Sequence, residues 1–408
     1  MELTNAQEKG RKIAVEKFKN HESYVVISGY AGTGKSVLIS YIVASLGLKP
    51  DIDVCYACPT GKACNQLQKL GHRNVTTLHR LLWKYEVVNG GFVRRSRAIG
   101  DIPYRLIVVD EVSMVSQPTI AELLKHRIFV VFCGDPFQLP PVSEEAPNRL
   151  LETPDIFLDE VMRQAKESDI IRLSMDIREK RQIGLYKGND LMILPNKELY
   201  EGHLRWADQI LVATNNTRNA VNQKMRALNN SFGDLPQLGD KIIARKNYHE
   251  TFGGQGYSLV NGTIGYLSNR ITPNVFYLPK DIRCIESPIR SFNSHFITDY
   301  GEDYGYLDID MKGLKDGRYS LEEIRAQSVV AGYCKRRFKN NEKMLRRAVP
   351  YYFEYGYAIT THMAQGSSWG KVLLIEEKFP FNRLEHSRWL YTGCTRPTEK
   401  LVIIKGDF

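Results

Sequence analysis

Residues 29–36 read Gly-Tyr-Ala-Gly-Thr-Gly-Lys-Ser, between the apolar run Val25-Val26-Ile27 and the helix-like stretch 37–46. Glycines at this spacing let a backbone curl around phosphate oxygens, with a strand entering the loop and a helix leaving it. Gly29, Ala31, Gly32, Thr33, Gly34 and Val37 would frame the cradle. Lys35 would reach the β- and γ-phosphates of a nucleoside triphosphate, and the Ser36 hydroxyl would ligate Mg²⁺. A second feature is Asp110-Glu111, which ends the apolar strand begun at Leu106. Beside a phosphate loop, Asp110 would hold Mg²⁺ through water, and Glu111 would orient and deprotonate the attacking water. A third is Gln138, just past the apolar strand that starts at Phe129. An amide there can touch both the γ-phosphate and that water, and can pass nucleotide state to the adjoining Pro140-Pro141.

Two sections of alternating short apolar strands and amphipathic helices would position these groups, as in doubly wound parallel sheets. In the first, strands are expected near 24–28, 54–58, 106–110 and 128–133, with helices near 36–46 and 61–70. In the second, strands are expected near 210–213, 241–244, 372–376 and 401–404, with helices near 217–228 and 384–392. Residues 83–101 read as two strands around an Asn-Gly-Gly turn, a hairpin signal. Residues 246–350 are glycine- and tyrosine-rich, with β-like pieces at 263–267 and 274–278 and a basic helical stretch at 334–347. They read as a small β-domain inserted into the second α/β domain, and the acidic tract 299–323 as a solvated surface.

The chain has 408 residues, too many for one core. Its 56 Lys+Arg against 46 Asp+Glu give a net charge of +10, a surplus that suits a polyanionic partner such as nucleic acid. The seven cysteines fall mostly in apolar or helical contexts and read as reduced thiols of a cytosolic protein. Cys55 and Cys58 have the spacing of half a zinc site, but no second ligand pair follows, so a buried strand is the better reading. No apolar run approaches membrane-spanning length and the N-terminus has no signal-peptide core, so the expectation is a cytoplasmic protein without membrane contact.

Taken together, the phosphate loop, Cys-Pro-Thr-Gly-Lys-Ala (58–63), Thr-Leu-His-Arg-Leu-Leu (77–82), Asp-Glu-Val-Ser-Met (110–114) and Gly-Asp-Pro-Phe-Gln-Leu-Pro-Pro-Val (134–142) resemble consecutive motifs of superfamily 1 helicases. The series continues with Leu-Asp-Glu-Val-Met-Arg-Gln (158–164), Thr-His-Met-Ala-Gln-Gly-Ser (361–367) and Tyr-Thr-Gly-Cys-Thr-Arg-Pro (391–397). The resemblance is strongest to group B, the RecD/Dda-like DNA helicases, and covers nearly the whole chain outside 246–350. It implies an α/β fold of two RecA-like parallel-sheet domains of the P-loop NTPase kind. One would comprise residues 1–82 and 102–153, the other 154–247 and 348–408. A β-hairpin pin would occupy 83–101, and an SH3-like insertion 248–347.

The same resemblance implies roles for single residues. Gln7 would hydrogen-bond the adenine edge, and Gly366, beside Gln365, would line the nucleotide cleft. Arg163 and Arg396 would come from the second domain as arginine fingers, which work only when the cleft closes. Pro59, Thr60, Lys62, Thr77 and His79 would form the strand path on the first domain, with Pro140 at its edge. Thr361, His362 and Asn215, with Asn216 beside it, would extend the path on the second. Phe92, followed by Arg94, Arg95 and Arg97, lies near the place of the pin's wedge aromatic. The sequence departs from the family at Pro397, which tightens the turn after Arg396, and over most of 246–350.

The expectation is an ATP- and Mg²⁺-dependent monomeric DNA helicase of a bacterial or phage-infected cell, acting in replication, repair or recombination. It would bind single-stranded DNA and single-strand/duplex junctions, with single-strand-binding or replication proteins as partners, and travel 5′→3′. Alternatives are a translocating ATPase that remodels protein–DNA complexes and an RNA-directed helicase. A small-molecule kinase would leave the second domain and its arginine without purpose.

Overall fold

Eight short strands lie in the first 160 residues: β1 (Tyr24–Gly29), β2 (Val54–Cys58), β3 (Val75–Thr77), β4 (Trp83–Val88), β5 (Gly91–Ser96), β6 (Leu106–Val109), β7 (Phe129–Gly134) and β8 (Ile156–Leu158). The computed structural model describes residues 3–88, 91–140, 147–161, 167–246, 248–252, 255–277, 289–317, 350–377 and 382–406. They fall into two units, one of Met1–Lys84, Arg94–Thr214 and Thr360–Phe408, the other of Tyr85–Val93 and Asn215–Ile359.

The first unit holds two parallel sheets, each the core of one lobe. In the first lobe the order is β3-β2-β6-β7-β1-β8, with all neighbouring strands parallel. Successive residues of these strands enter opposite cores. Val25, Ile27, Tyr56, Val108 and Val131 join one cluster, and Val26, Cys55, Ile107, Val109 and Phe132 the other. Burial on both faces is why the strands read as unbroken apolar runs rather than alternating ones. Helix Asn5–Lys19 begins with a capping box in which Thr4 and Gln7 satisfy each other's backbone N–H, and it carries Lys17 and Lys19 in its last turn.

In the second lobe, Gln209–Val212, Trp369–Ile375, Pro397–Lys405 and Leu191–Pro195 run parallel in that order, and Tyr186–Lys187 adds antiparallel at the edge. Helix Arg383–Cys394 starts at an Asn382–Glu385 capping box. It feeds the turn that leads into the Pro397 strand. Among the described residues, no helix is long and apolar enough to cross a membrane.

The strand expected near 241–244 belongs elsewhere. Lys241–Ala244 pairs antiparallel with Ile264–Phe276 and Phe353–Tyr355, within a five-stranded sheet in the second unit that also holds Ile289–Thr298 and Asp303–Asp310. The two β-like pieces near 263–267 and 274–278 are one strand, Ile264–Phe276, interrupted by a register shift between Ser268 and Thr272. Glu354 lies buried in this unit with Arg218 Nη1 at 2.9 Å and Arg245 Nε at 3.2 Å. β4 and β5 pair as a separate two-stranded ribbon. The Asn89-Gly90 turn, the Phe92 side chain, Arg163 and the basic stretch 334–347 lie outside the described residues.

Candidate nucleotide cleft and strand path

The phosphate loop joins β1 to helix Lys35–Ser45, and Gly32 and Gly34 both take φ of +77°, a conformation costly to any residue with a Cβ. A Cβ on Gly29 would stand 2.9 Å from Thr33 Oγ1 and 3.0 Å from Leu158, so the first turn of the loop closes only around glycine. Ala31 and Val37 flank this turn, half-buried, and Ser36 is exposed at the helix start. Lys35 Nζ donates to the carbonyls of Gly29 and Tyr30, both at 2.9 Å, which holds it inside the loop.

Asp110 and Glu111 follow β6, and Glu111 sits in the left-handed region at φ +53°. Such strain in a non-glycine residue persists where the surroundings impose it, and it gathers at functional sites. Asp110 Oδ1 accepts the Glu111 N–H at 2.9 Å. Burial pushes the Asp110 carboxyl above its ordinary pKa, with that N–H and Lys35 opposing. Burial raises Glu111 too, with Arg396 the strongest opposing influence. The Asp110 carboxylate and the exposed Ser36 hydroxyl are both oxygen donors, the kind that suits Mg²⁺.

Arg396 reaches this site from the second lobe. It is 5% exposed, with Nε donating to Thr392 O at 3.0 Å and Nη2 to Thr395 Oγ1 at 2.8 Å. With the Gln138 amide in the orientation that satisfies its neighbours, its oxygen accepts from Arg396 Nη2 at 3.3 Å and its nitrogen donates to Glu111 Oε2 at 3.1 Å. A chain of hydrogen bonds thus runs from the second lobe, through Gln138, to the carboxylate at the end of β6. Leu139 is gripped from both sides: its N–H donates to Thr392 Oγ1 at 3.0 Å and its carbonyl accepts from Gln365 Nε2 at 2.7 Å.

Two of the expected site residues are engaged within the protein. Gln7 is 1% exposed, its Oε1 accepts the Thr4 N–H at 3.0 Å, and its Nε2 faces Thr33 O and Gly34 O at 3.4 and 3.3 Å. Its amide braces the helix cap and the phosphate loop. Thr361 is fully buried and donates its hydroxyl to Val212 O at 3.4 Å, so its side chain cannot meet a strand at the surface.

Gly366 has φ +69°, and a Cβ there would meet Thr60 Oγ1 at 3.0 Å and Ala63 Cβ at 3.1 Å. It therefore seats the second lobe against the segment after β2. Thr60 and Thr77 cap their helices by accepting the N–H of Ala63 and Arg80, each at 3.3 Å. Each hydroxyl keeps its own proton to donate to a phosphate oxygen. Pro59 and Lys62 are half-exposed, with Lys62 Nζ 5.5 Å from the Trp369 ring centroid. His79 is exposed and its ring lies 4.9 Å from that of Trp83, at the foot of β4. Pro140 is exposed, and His362 is half-buried with burial pushing its imidazole pKa down. Asn215 and Asn216 open helix Asn215–Leu228 in the second unit, both exposed.

Two further side chains complete this part of the structure. Tyr391, inside the Tyr-Thr-Gly-Cys-Thr-Arg run, reaches Ala31 and Asp135. Arg178, in a helix with no motif to flag it, lays its guanidinium 3.6 Å over the Tyr30 ring centroid.

Comparison with known proteins places this geometry. A family model described as an AAA domain matches residues 5–192, and one described as a UvrD-like helicase C-terminal domain matches 355–404. The chain is 27% identical over 385 residues to the ATP-dependent RecD2 DNA helicase of Deinococcus radiodurans, covering 92% of this chain and 46% of that protein. It is 28% identical over 147 residues to the ATP-dependent DNA helicase dda of Enterobacteria phage T4, covering 35% of this chain and 34% of that protein. The chain thus spans under half the length of these curated relatives. Pif1 helicase from Bacteroides, solved with ADP-AlF3 and ssDNA, shares the fold with a TM-score of 0.54 at 16% identity, over 99% of this chain and 92% of that one. Pif1 helicase from Candida albicans does so with a TM-score of 0.52 at 18% identity, over 100% and 95% of the two chains.

Proposed function

We propose that this chain, a member of the RecD/Dda-like group of superfamily 1 helicases, is an ATP-driven motor that moves along single-stranded DNA and separates the duplex ahead of it. The observation that carries the reading is the Arg396–Gln138–Glu111 chain, in which the lobe without the phosphate loop supplies a second cation to the site. Phosphoryl transfer is accelerated mainly by positioning and by stabilising charge on the transferring group. Lys35 and the loop amides stand on one side of the cleft and Arg396 on the other, so a bound triphosphate would favour the closed arrangement. Glu111 would orient the attacking water and take its proton, while Gln138 relays the position of Arg396 to it. Ser36 and Asp110 would hold Mg²⁺, which neutralises charge on the phosphates when bound. Hydrolysis removes the shared ligand, the lobes part, and alternating grip by the 59–62, 77–79 and 362 segments advances the strand.

DNA as the track is supported by the named activity of the RecD2 and dda relatives and by the +10 net charge. Travel 5′→3′ and strand separation at the β4–β5 ribbon belong to the same proposal. A displacement assay on forks with 5′ or 3′ tails of DNA or RNA tests it. The expected result is ATP-dependent displacement from 5′-tailed DNA. Displacement from 3′ tails alone would overturn the direction, and no displacement of any fork despite strand-stimulated hydrolysis would leave the translocating remodeller as the better reading.

A further inference from the structure

Tyr391 belongs to the second lobe, yet its hydroxyl touches two separate loops of the first. The ring is fully buried. Its Oη accepts the N–H of Ala31 in the phosphate loop at 3.0 Å and donates to Asp135 Oδ2 at 2.5 Å. The ring also meets Phe137 edge-on, with centroids 5.2 Å apart. Asp135 is 1% exposed, and its other oxygen accepts the Phe137 N–H at 2.9 Å, fixing the turn that presents Gln138. One phenol oxygen therefore ties the phosphate loop to the Gln138 turn, from the same helix that leads to Arg396.

The chemistry of the three groups makes the tie directional. A buried carboxylate and a buried amide N–H are each costly without a partner. Tyr391 is the group that supplies a donor to one and an acceptor to the other. Burial, with Asp135 beside it, keeps the phenol well above its ordinary pKa, so it stays a neutral donor. Moving the lobes apart strands both first-lobe groups until water replaces the phenol. The arrangement that seats Tyr391 is also the one that brings Arg396 to Gln138.

We infer that Tyr391 is a positioning residue for ATP hydrolysis, its hydroxyl locking the phosphate loop and the Asp135–Gln138 turn into register with Arg396. The inference rests on the reading of the cleft as a hydrolytic site. It is separate from the finger itself, because Tyr391 touches neither Arg396 nor Glu111 among the contacts described.

The test is strand-stimulated ATP hydrolysis by the full chain carrying Tyr391→Phe, which removes one oxygen and keeps the ring. The expected result is a kcat loss of about tenfold with KM for ATP within about threefold of wild type, the size of one hydrogen bond to a charged group. Asp135→Asn attacks the same bond from the first lobe and should lose a similar factor. The double variant should then lose no more than the worse single one. Wild-type kcat in Tyr391→Phe, losses that multiply in the double variant, or a kcat loss matched by a lower melting temperature and higher KM would each overturn the inference. Lys35→Ala, assayed alongside, separates the two claims. If Lys35→Ala is inactive and Tyr391→Phe is normal, only the positioning role fails. If Lys35→Ala still turns over ATP, the reading of the cleft fails.

Discussion

Glu111 and Glu354 are both carboxylates that burial pushes toward the protonated form and that arginine pulls back. Their surroundings differ. Glu354 has two arginines of its own unit against it, Arg218 at 2.9 Å, set off the hydrogen-bond line, and Arg245 at 3.2 Å. Glu111 is approached by an arginine of the other lobe, through the Gln138 amide, on a backbone held at φ +53°. A direct, enclosed pair fixes one arrangement, because parting it leaves bare charge in a dry interior. An indirect pair across a cleft admits water as it parts, so its charges are solvated rather than stranded. Buried charge alone is thus no sign of catalysis. The lobe from which the partner comes, and the strain on the carboxylate's backbone, separate the two cases.

Three substitutions sharpen the contrast. Glu111→Gln keeps shape and burial but cannot take a proton, so hydrolysis should fall by about 10³-fold with little change in thermal stability. A loss below tenfold would move the general-base role elsewhere. Glu354→Ala should do the opposite. It leaves Arg218 buried without its counter-charge, so unfolding should become easier by about 3–5 kcal/mol, read from denaturant titration. Hydrolysis per folded molecule should stay within about twofold, since no contact described links Glu354 to the cleft. The smallest effect is expected for Gln7→Ala, which removes one arm of a capping box and a brace on the phosphate loop. A stability loss of about 1 kcal/mol is expected, with no change in preference between ATP and GTP. A changed base preference would restore the adenine-edge role.

The sequence shows the two lobes and the phosphate loop clearly for physical reasons. Strands buried on both faces are continuous apolar runs, and the glycine spacing of the loop follows from its φ values. Lys241–Ala244 joins another sheet than expected, because a four-residue strand carries no mark of the sheet it joins. Motif position marks Gln7 and Thr361, but the partners that engage their polar atoms come from tertiary structure. The contacts of Tyr391 and Arg178 are illegible in the sequence for a related reason. Their contacts, to Ala31, Asp135 and Tyr30, join residues far apart in the chain. Nothing in local pattern encodes such pairs.

The central claim is that the second lobe completes the chemistry begun by the first, and Arg396→Ala addresses it most directly. Strand-stimulated kcat should fall by about 10³-fold while the dissociation constant of a fluorescent ATP analogue stays within about threefold. Retention of more than about a tenth of wild-type kcat, or equal losses in turnover and nucleotide binding, would contradict the account.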